Sequence, residues 1–320
     1  MELNDIEKIS IAGGGTMGFG LAINFALWGY PTTIYDLNDQ ILGKTAQSVK
    51  KALDMFVTED LISRQRSEDT FKRITFTPDF NKLADSDFIT EAIVERLSDK
   101  QELFSKLDKI CKPQTIIASN TSSLQIGDIG KWVKRQDKVV LTHYFTPPHI
   151  VPGVEIAKGP GTTDETFNLT YDLLKKVKKT PVRILKEFII PELPGYLLNT
   201  LQRAMEGAAY RLWAEGVASA EDIDLGIKAS FGFRNPHEGP FMHADFSAHF
   251  RWPEDVQARE VNRILAMPGL SEEAKAKLRK RFAEGVGTWF IEPDKFEEAE
   301  EVRDRQYARR LKELYWGKLD

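Results

Sequence analysis

The chain has 320 residues, a net charge of −4 at pH 7 and a single cysteine. This length suffices for about two domains. The negative charge leaves no broad basic surface for a nucleic-acid backbone. A single cysteine excludes an internal disulfide, and no apolar run is long enough to span a membrane. We therefore predict a cytoplasmic protein whose partners are small molecules, with no nucleic-acid or membrane partner.

The first predicted elements are a strand, a glycine-rich turn, a helix and a second strand. Residues 9–12 (ISIA) are mostly apolar, the turn reads GGGTMG at 13–18, a helical pattern covers 19–28, and the strand at 32–36 ends on an acid. This order is that of a dinucleotide-binding βαβ unit, and it disfavours the alternative of a purely structural glycine loop. The predicted cofactor-binding residues of this unit are Gly13, Gly15, Thr16, Met17, Gly18 and Asp36.

The residue types in this unit have physical reasons. Gly13 permits the tight turn, Gly15 has no Cβ to keep a pyrophosphate from the backbone, and Gly18 lets the helix pack close to the strand. The free N–H groups at the helix start face the anion. Asp36 can accept hydrogen bonds from both ribose hydroxyls and would repel a 2′-phosphate, so the predicted cofactor is NAD rather than NADP.

The next part of the chain predicts a helical hairpin over 41–62, followed by alternating strands and helices. Its cations form either a solvated helix face or a contact to an anionic substrate tail; they are Lys50, Lys51, Arg64, Arg66 and Lys72. Helical spacing covers 99–111 and 167–178, and strands are predicted at 73–76, 87–90, 115–118, 138–142 and 154–157. We therefore predict an α/β, Rossmann-type doubly wound sheet as an NAD-binding domain over residues 1–187.

Strand-like runs stop near residue 188, and helical patterns take over. A hinge is predicted at 191–195. Residues 196–215 carry apolar side chains over more of a helix circumference than one neighbour covers, which indicates a subunit interface. Gly216 can end this helix, and Ser219 can begin the next. The prediction is a smaller all-α substrate and dimerisation domain over residues 188–320, and a homodimer.

Polar residues near the strand ends form the candidate catalytic site. Ser122 and His143 follow buried strands, and the carboxyl ends of parallel strands line the ligand crevice of such a sheet. Glu155 comes after a proline-rich loop that can double back and place its carboxylate beside the imidazole. This pair would fix the tautomer and stabilise the imidazolium as a proton arrives; the alternative is a structural ion pair. The other histidines match no metal-site spacing, so no metal is predicted.

Six ordered motifs together resemble the 3-hydroxyacyl-CoA dehydrogenase family, and they cover nearly the whole chain. They are the glycine turn at 13–18, EAIVE at 91–95, SNTSSL at 119–124, HYFTPP at 143–148 with Glu155, PGYLLN at 194–199, and GPF at 239–241 with Asp245. The resemblance implies an NAD-dependent oxidoreductase of fatty-acid metabolism that interconverts a 3-hydroxy and a 3-keto group.

The resemblance also implies roles for particular residues. His143 would be the catalytic base, with Glu155 as its partner. Ser122 and Asn199 would hydrogen-bond the substrate oxygen. The cofactor site would further include Glu95 and Lys100 near the nicotinamide ribose, and Asn120.

The chain departs from the family pattern on its substrate-facing side. Thr146 stands where the family usually has Asn, and Thr200 where Arg commonly follows the domain-start Asn. The predicted substrate is a short-chain (S)-3-hydroxyacyl-CoA, and the alternative is a free 3-hydroxy acid, as in family relatives acting on L-gulonate or carnitine. A non-catalytic, crystallin-like NAD-binding protein is a third interpretation. An intact set of four residues argues against that third interpretation: Ser122, His143, Glu155 and Asn199.

Overall fold

The computed structural model describes residues 1–185, 195–247, 253–283 and 289–317. The chain forms two compact units, Met1–Gly207 and Ala208–Asp320. The boundary expected at 187/188 and most of the hinge expected at 191–195 lie outside the described residues, so both stay predictions. The first unit extends further along the chain because residues 196–199 hydrogen-bond to its loops and strands.

The first unit is built on one eight-stranded sheet. The strands are β1 (Ile9–Ala12), β2 (Thr32–Tyr35), β3 (Ile74–Thr77), β4 (Phe88–Glu91), β5 (Ile116–Ser119), β6 (Val139–Tyr144), β7 (Gly153–Lys158) and β8 (Thr180–Ile184). Their order is β3-β2-β1-β4-β5-β6-β7-β8. Among the described strands, all neighbours are parallel except β6 and β7. The sheet is of the doubly wound Rossmann type, which confirms the predicted fold class.

Helices cover the sheet, and their apolar faces form the core. The helices of this unit are α1 (Gly18–Ala26), α2 (Asp39–Thr58), α3 (Arg64–Lys72), α4 (Leu97–Ile110), α5 (Ile126–Ile129) and α6 (Asp164–Lys176). Every residue of β1, β4, β5 and β6 is buried, as parallel strands covered on both faces require. The structure has a helical hairpin here, α2 and α3, but its second helix lies at 64–72, beyond the predicted range of 41–62. The two helices begin where the side chains of Asn38 and Ser63 accept hydrogen bonds from backbone N–H groups.

Strand β8 is absent from the sequence-based prediction. It pairs in parallel with β7 at the end of the strand order. Its second residue is Pro181, and none of its residues is fully buried. A short edge strand that contains proline and has polar residues at Thr180 and Arg183 lacks the apolar run on which the other strands were recognised.

The second unit is helical. The helix α7 (Leu197–Ala214) begins in the first unit and ends in the second, and it is followed by α8 (Ala220–Ala229), α9 (Phe231–Arg234), α10 (Pro240–Phe246), α11 (Glu254–Leu265), α12 (Glu272–Ala283) and α13 (Phe296–Leu311). The predicted start of α8 is confirmed, because Ser219 Oγ accepts from the N–H of Asp222 at 3.0 Å. The buried carboxylate of Asp245 accepts from the backbone N–H groups of Trp289 and Phe290.

Candidate active site

The predicted His143 and Glu155 lie directly opposite each other on the antiparallel strands β6 and β7. Nδ1 of His143 lies 2.7 Å from Oε2 of Glu155, and both side chains are buried. The other carboxylate oxygen of Glu155 accepts from the backbone N–H of Leu198 at 2.5 Å. Because the carboxylate can only accept, the neutral imidazole carries its proton on Nδ1 and presents the lone pair of Nε2.

Aromatic rings fix the orientation of the imidazole. The ring centroid of Phe145 lies 4.6 Å from that of His143, and the ring of Tyr196 lies 6.3 Å away. Tyr196 is buried, and its hydroxyl donates to the carbonyl oxygen of Leu124 at 2.7 Å. The sequence did not predict a role for Tyr196 in the site, although this residue follows directly after the glycine of a Pro-Gly pair. Tyr196 thus links the imidazole to the loop that contains Ser122.

The loop after β5 wraps around the carboxylate of Glu95. Oε1 of Glu95 accepts from the backbone N–H groups of Ser122 at 3.0 Å and Ser123 at 3.2 Å, and from the hydroxyl of Thr121. Although burial alone would raise it, the pKa of Glu95 is lowered by the Thr121 hydrogen bond and the nearby charge of Lys100. Glu95 therefore positions the Ser122 backbone as an ionised acceptor.

Lys100 lies between two carboxylates rather than in open solvent. Its Nζ is 2.5 Å from Oε1 of Glu91 and 3.1 Å from Oε2 of Glu95, and its side chain is 1% exposed. Glu91 in turn accepts from the Ser119 hydroxyl at 2.6 Å. The structure thus places Lys100, which was predicted to bind the cofactor, in contact with Glu91 and Glu95. The sequence did not predict that Glu91 and Ser119 belong to this network, because their positions indicate only the ends of strands.

Asn199 and Asn120 connect neighbouring parts of the site. Nδ2 of Asn199 lies 3.4 Å from the carbonyl oxygen of Ser122, which places the amide beside the predicted substrate-binding loop. Oδ1 of Asn120 accepts from the backbone N–H of Tyr144 at 2.8 Å and so joins the ends of β5 and β6. Four predicted site residues therefore meet around two strand ends and the first turn of α7: Ser122, His143, Glu155 and Asn199.

The glycine turn borders a pocket of about 650 Å³ whose lining includes Gly13, Gly15, Asp36 and Ile93. Gly13 has φ +116°, and a Cβ on Gly18 would lie 1.9 Å from the carbonyl oxygen of Gly13, so neither position accepts a side chain. A Cβ on Gly15 would meet nothing within 4 Å, which leaves open space above this residue.

The remaining cofactor residues surround the start of α1. Oδ2 of Asp36 accepts from the backbone N–H of Gly14 at 2.8 Å, which directs the carboxylate toward the turn. Thr16 is exposed beside the first turn of α1. The sulfur of Met17 lies 3.2 Å from the hydroxyl of Thr146. An open turn at a helix N-terminus and an acid at the end of β2 are the features that a dinucleotide pyrophosphate and ribose require.

Two buried side chains, neither of which the sequence pointed to, hold the loop that follows His143. Nζ of Lys179 donates to the carbonyl oxygens of Pro148 at 2.5 Å and Val151 at 2.9 Å. Nδ2 of Asn24 donates to the Pro148 oxygen at 3.0 Å. Burial lowers the pKa of Lys179 to about 8.

None of the described helices is long and apolar enough to cross a membrane. Within the described ranges, no three or more His, Cys, Asp or Glu side chains are grouped so that they could hold a metal ion.

The sheet order, the open glycine turn and the acid after β2 are those of a Rossmann-type dinucleotide-binding domain. The profile described as "3-hydroxyacyl-CoA dehydrogenase, NAD binding domain" matches residues 8–188. The chain belongs to the 3-hydroxyacyl-CoA dehydrogenase family.

Individual relatives span most of the chain. The 3-hydroxybutyryl-CoA dehydrogenase of Clostridioides difficile is 34% identical over 238 residues, which are 74% of this chain and 82% of that protein. The mitochondrial hydroxyacyl-coenzyme A dehydrogenase of Homo sapiens is 33% identical over 247 residues, 75% of this chain and 76% of the relative. The crystal structure of (S)-3-hydroxybutyryl-CoA dehydrogenase from Ralstonia eutropha is similar with a TM-score of 0.66 at 25% identity, covering 89% of this chain and 99% of that one.

Proposed function

We propose that the protein oxidises the secondary alcohol of a short-chain (S)-3-hydroxyacyl-CoA to the 3-keto compound, with His143 as the general base. The observation that carries this proposal is the buried pair of His143 and Glu155, with 2.7 Å between Nδ1 and Oε2. In the part of the chain that the structure describes, Nε2 of His143 has no hydrogen-bond partner and can accept a proton. The names of the relatives support the substrate class.

The proton and the hydride leave the substrate on separate routes. A bound NAD⁺ would supply the acceptor for the hydride that leaves the carbon bearing the hydroxyl group. Nε2 of His143 takes the hydroxyl proton as the C–O bond becomes a carbonyl. The Glu155 carboxylate then stabilises the imidazolium, while its bond to the Leu198 N–H keeps the carboxylate in place.

Ser122 and Asn199 are proposed to position the substrate oxygen. Their main-chain and amide groups lie 3.4 Å apart, and Glu95 fixes the Ser122 backbone. Holding the reacting alcohol in one orientation lowers the entropic part of the barrier. The open turn at Gly13 to Gly18 and the Asp36 carboxylate would hold the cofactor with a preference for NAD.

The oligomeric state, the domain boundary and the cellular compartment are also proposals. We infer a homodimer from the apolar, unburied helix α7, and an NAD-binding domain that ends near residue 187. The cytoplasm is proposed as the compartment, a choice supported by a single, unpaired cysteine, Cys111.

The test is a panel of (S)-3-hydroxyacyl-CoAs and free 3-hydroxy acids, each incubated with NAD⁺ while NADH absorbance is followed. Turnover of short-chain thioesters is expected, with little use of NADP⁺ in place of NAD⁺. A protein that binds NADH but oxidises no member of either series would contradict the proposed function.

A further inference from the structure

A guanidinium with no partner among the described residues lies beside the residues proposed to bind the substrate oxygen. Arg203 follows Asn199 by four positions on α7, so the two side chains share one face of the helix. A Cβ on Gly195 would lie 3.6 Å from Nη1 of Arg203 and 2.8 Å from Cβ of Asn199. The guanidinium therefore points back along the helix toward its N-terminus, as side chains on helices tend to do.

This end of α7 is the end that meets the catalytic pair. Tyr196, the neighbour of Gly195, packs its ring 6.3 Å from that of His143. The backbone N–H of Leu198 donates to Glu155. The guanidinium of Arg203 thus lies at the helix turn from which Tyr196, Leu198 and Asn199 reach the site.

Arg203 is half-buried, and in the described part of the chain no carboxylate forms an ion pair with it and no group accepts a hydrogen bond from it. Two other partly buried arginines form ion pairs with aspartates. Arg135 lies 2.8 Å from Asp108, and Arg303 lies 2.9 Å from Asp304. A partly desolvated guanidinium without a counter-charge is suited to a planar anion that arrives with the ligand.

The position of this cation indicates which part of the ligand carries the anion. In a CoA thioester the long pantetheine arm separates the phosphates from the reacting carbon. A guanidinium one helical turn from Asn199 is therefore close to the acyl part rather than to the phosphates. The anion expected there is a carboxylate of the hydroxylated acyl part itself.

We propose that Arg203 binds a carboxylate on the acyl part of the substrate and so determines substrate specificity. The carboxylate is either the free carboxyl group of a 3-hydroxy acid or the terminal carboxyl group of a 3-hydroxydicarboxylyl-CoA. This inference rests on the proposed function, because it assigns the substrate of that same site.

The decisive comparison uses two thioesters of equal chain length, 3-hydroxyadipyl-CoA and 3-hydroxyhexanoyl-CoA, with NAD⁺. Wild-type protein is expected to prefer the dicarboxylyl thioester, and Arg203→Met is expected to lower the ratio of the two kcat/KM values by about 10–100-fold, since hydrogen bonds to charged groups are lost. The loss should lie mainly in KM. Arg203→Lys should keep part of the preference through its point charge.

Arg211→Met is the matched control, because it removes the same charge two turns further along α7. That variant should leave the ratio unchanged. Free 3-hydroxyadipate and 3-hydroxybutyrate are assayed beside the thioesters to separate the two sources. Turnover of the free acids that falls in Arg203→Met assigns the carboxylate to C1, whereas a preference confined to the thioesters assigns it to the chain end.

Binding is measured in parallel, without turnover, as the rise in Tm that adipate and hexanoate cause relative to the uncharged hexanamide, in wild type and in Arg203→Met. The inference is overturned if Arg203→Met changes neither the ratio of the two thioesters nor the turnover of the free acids, or if it lowers kcat/KM equally for both thioesters. The proposed function fails separately, when no 3-hydroxy compound reduces NAD⁺. In that case the Tm comparison still decides whether Arg203 binds a carboxylate.

Discussion

The imidazole of His143 presents one nitrogen to a carboxylate, and the other has no partner among the described residues. His143→Gln removes the proton acceptor but keeps a side chain that can hydrogen-bond to Glu155. We expect kcat to fall by about 10²–10⁴, the usual contribution of a general base. NADH binding should change little, because the glycine turn and Asp36 are intact. Steady-state kinetics and fluorescence titration of NADH measure the two quantities.

The roles of the pair can be separated with a second variant. Glu155→Gln keeps the imidazole but removes the charge that stabilises the imidazolium, so the loss in kcat should be smaller than in His143→Gln. Wild-type turnover in His143→Gln would show that the pair is structural. A defect confined to NADH binding would lead to the same conclusion.

Lys179 acts on the loop after His143 through two charge-assisted hydrogen bonds. Lys179→Met leaves the Val151 carbonyl oxygen without this donor, and we expect the free energy of unfolding to fall by about 1–3 kcal/mol. The loss should depend on pH. Since burial lowers the pKa of Lys179 from 10.5 to about 8, the folded protein releases this proton at lower pH than the unfolded chain does. The free energy of unfolding of the wild-type protein therefore rises relative to that of Lys179→Met as pH rises from about 8 to 10.5.

Urea unfolding across this pH range tests the prediction. Lys178→Met serves as the control, because its neighbouring side chain is exposed and lies over the Trp28 ring. A stability difference between wild type and Lys179→Met that is constant, or that narrows with rising pH, would contradict the assignment.

At the scale of elements, the C-terminal ends of β4 and β5 and the start of α4 are joined by one buried charge network. Lys100 neutralises Glu91, which lies at the end of β4 and is 0% exposed. Lys100→Met would leave this carboxylate buried without its cation, and we expect a loss of about 3–5 kcal/mol in the free energy of unfolding. Chemical denaturation of the purified variant measures that loss.

The double variant Lys100→Met with Glu91→Gln should recover part of the loss, because a neutral amide can still accept from the Ser119 hydroxyl. Lys106→Met is a matched control on the same helix. Its ion pair with Glu102 is exposed and should contribute at most about 1 kcal/mol. Equal losses of unfolding free energy in Lys100→Met and Lys106→Met would show that the buried ion pair stabilises the protein no more than the exposed one.

Local patterns predicted the elements that position the site, but not the tertiary contacts that hold it. The strands β1 to β7 follow from apolar runs, and His143 opposite Glu155 follows from a loop that doubles back between two such runs. Lys179 and Asn24 could not be recognised in this way. Their importance depends on which carbonyl groups they meet across 28 to 124 residues of sequence, and a single lysine or asparagine carries no pattern of its own.

Lys100 on α4 is a further residue whose tertiary contacts the sequence pattern did not predict. The resemblance placed Lys100 in the cofactor site by its motif position. Its burial between Glu91 and Glu95 depends on the packing of α4 against the sheet, which no local periodicity reports.

At the scale of the whole molecule, the helix α7 exposes apolar side chains that contacts within a single chain do not cover. None of its 18 residues is buried, although it carries six large apolar side chains that are exposed: Leu197, Leu201, Met205, Tyr210, Leu212 and Trp213. Exposed apolar surface of this extent is typical of an interface. Because most soluble oligomers are symmetric dimers, we expect a second copy of the chain to cover this helix.

Light scattering at micromolar concentration should therefore give a mass near twice 36.4 kDa. Trp213→Glu places a charge where the indole is 58% exposed in the single chain, and it should shift the mass toward that of the monomer if this surface is buried between two copies. Gln202→Glu adds a charge to the same helix at a residue that is already polar, where it should leave the dimer intact. A wild-type protein that is monomeric, or a Trp213→Glu variant that stays dimeric as readily as Gln202→Glu, would mean that α7 is covered in some other way.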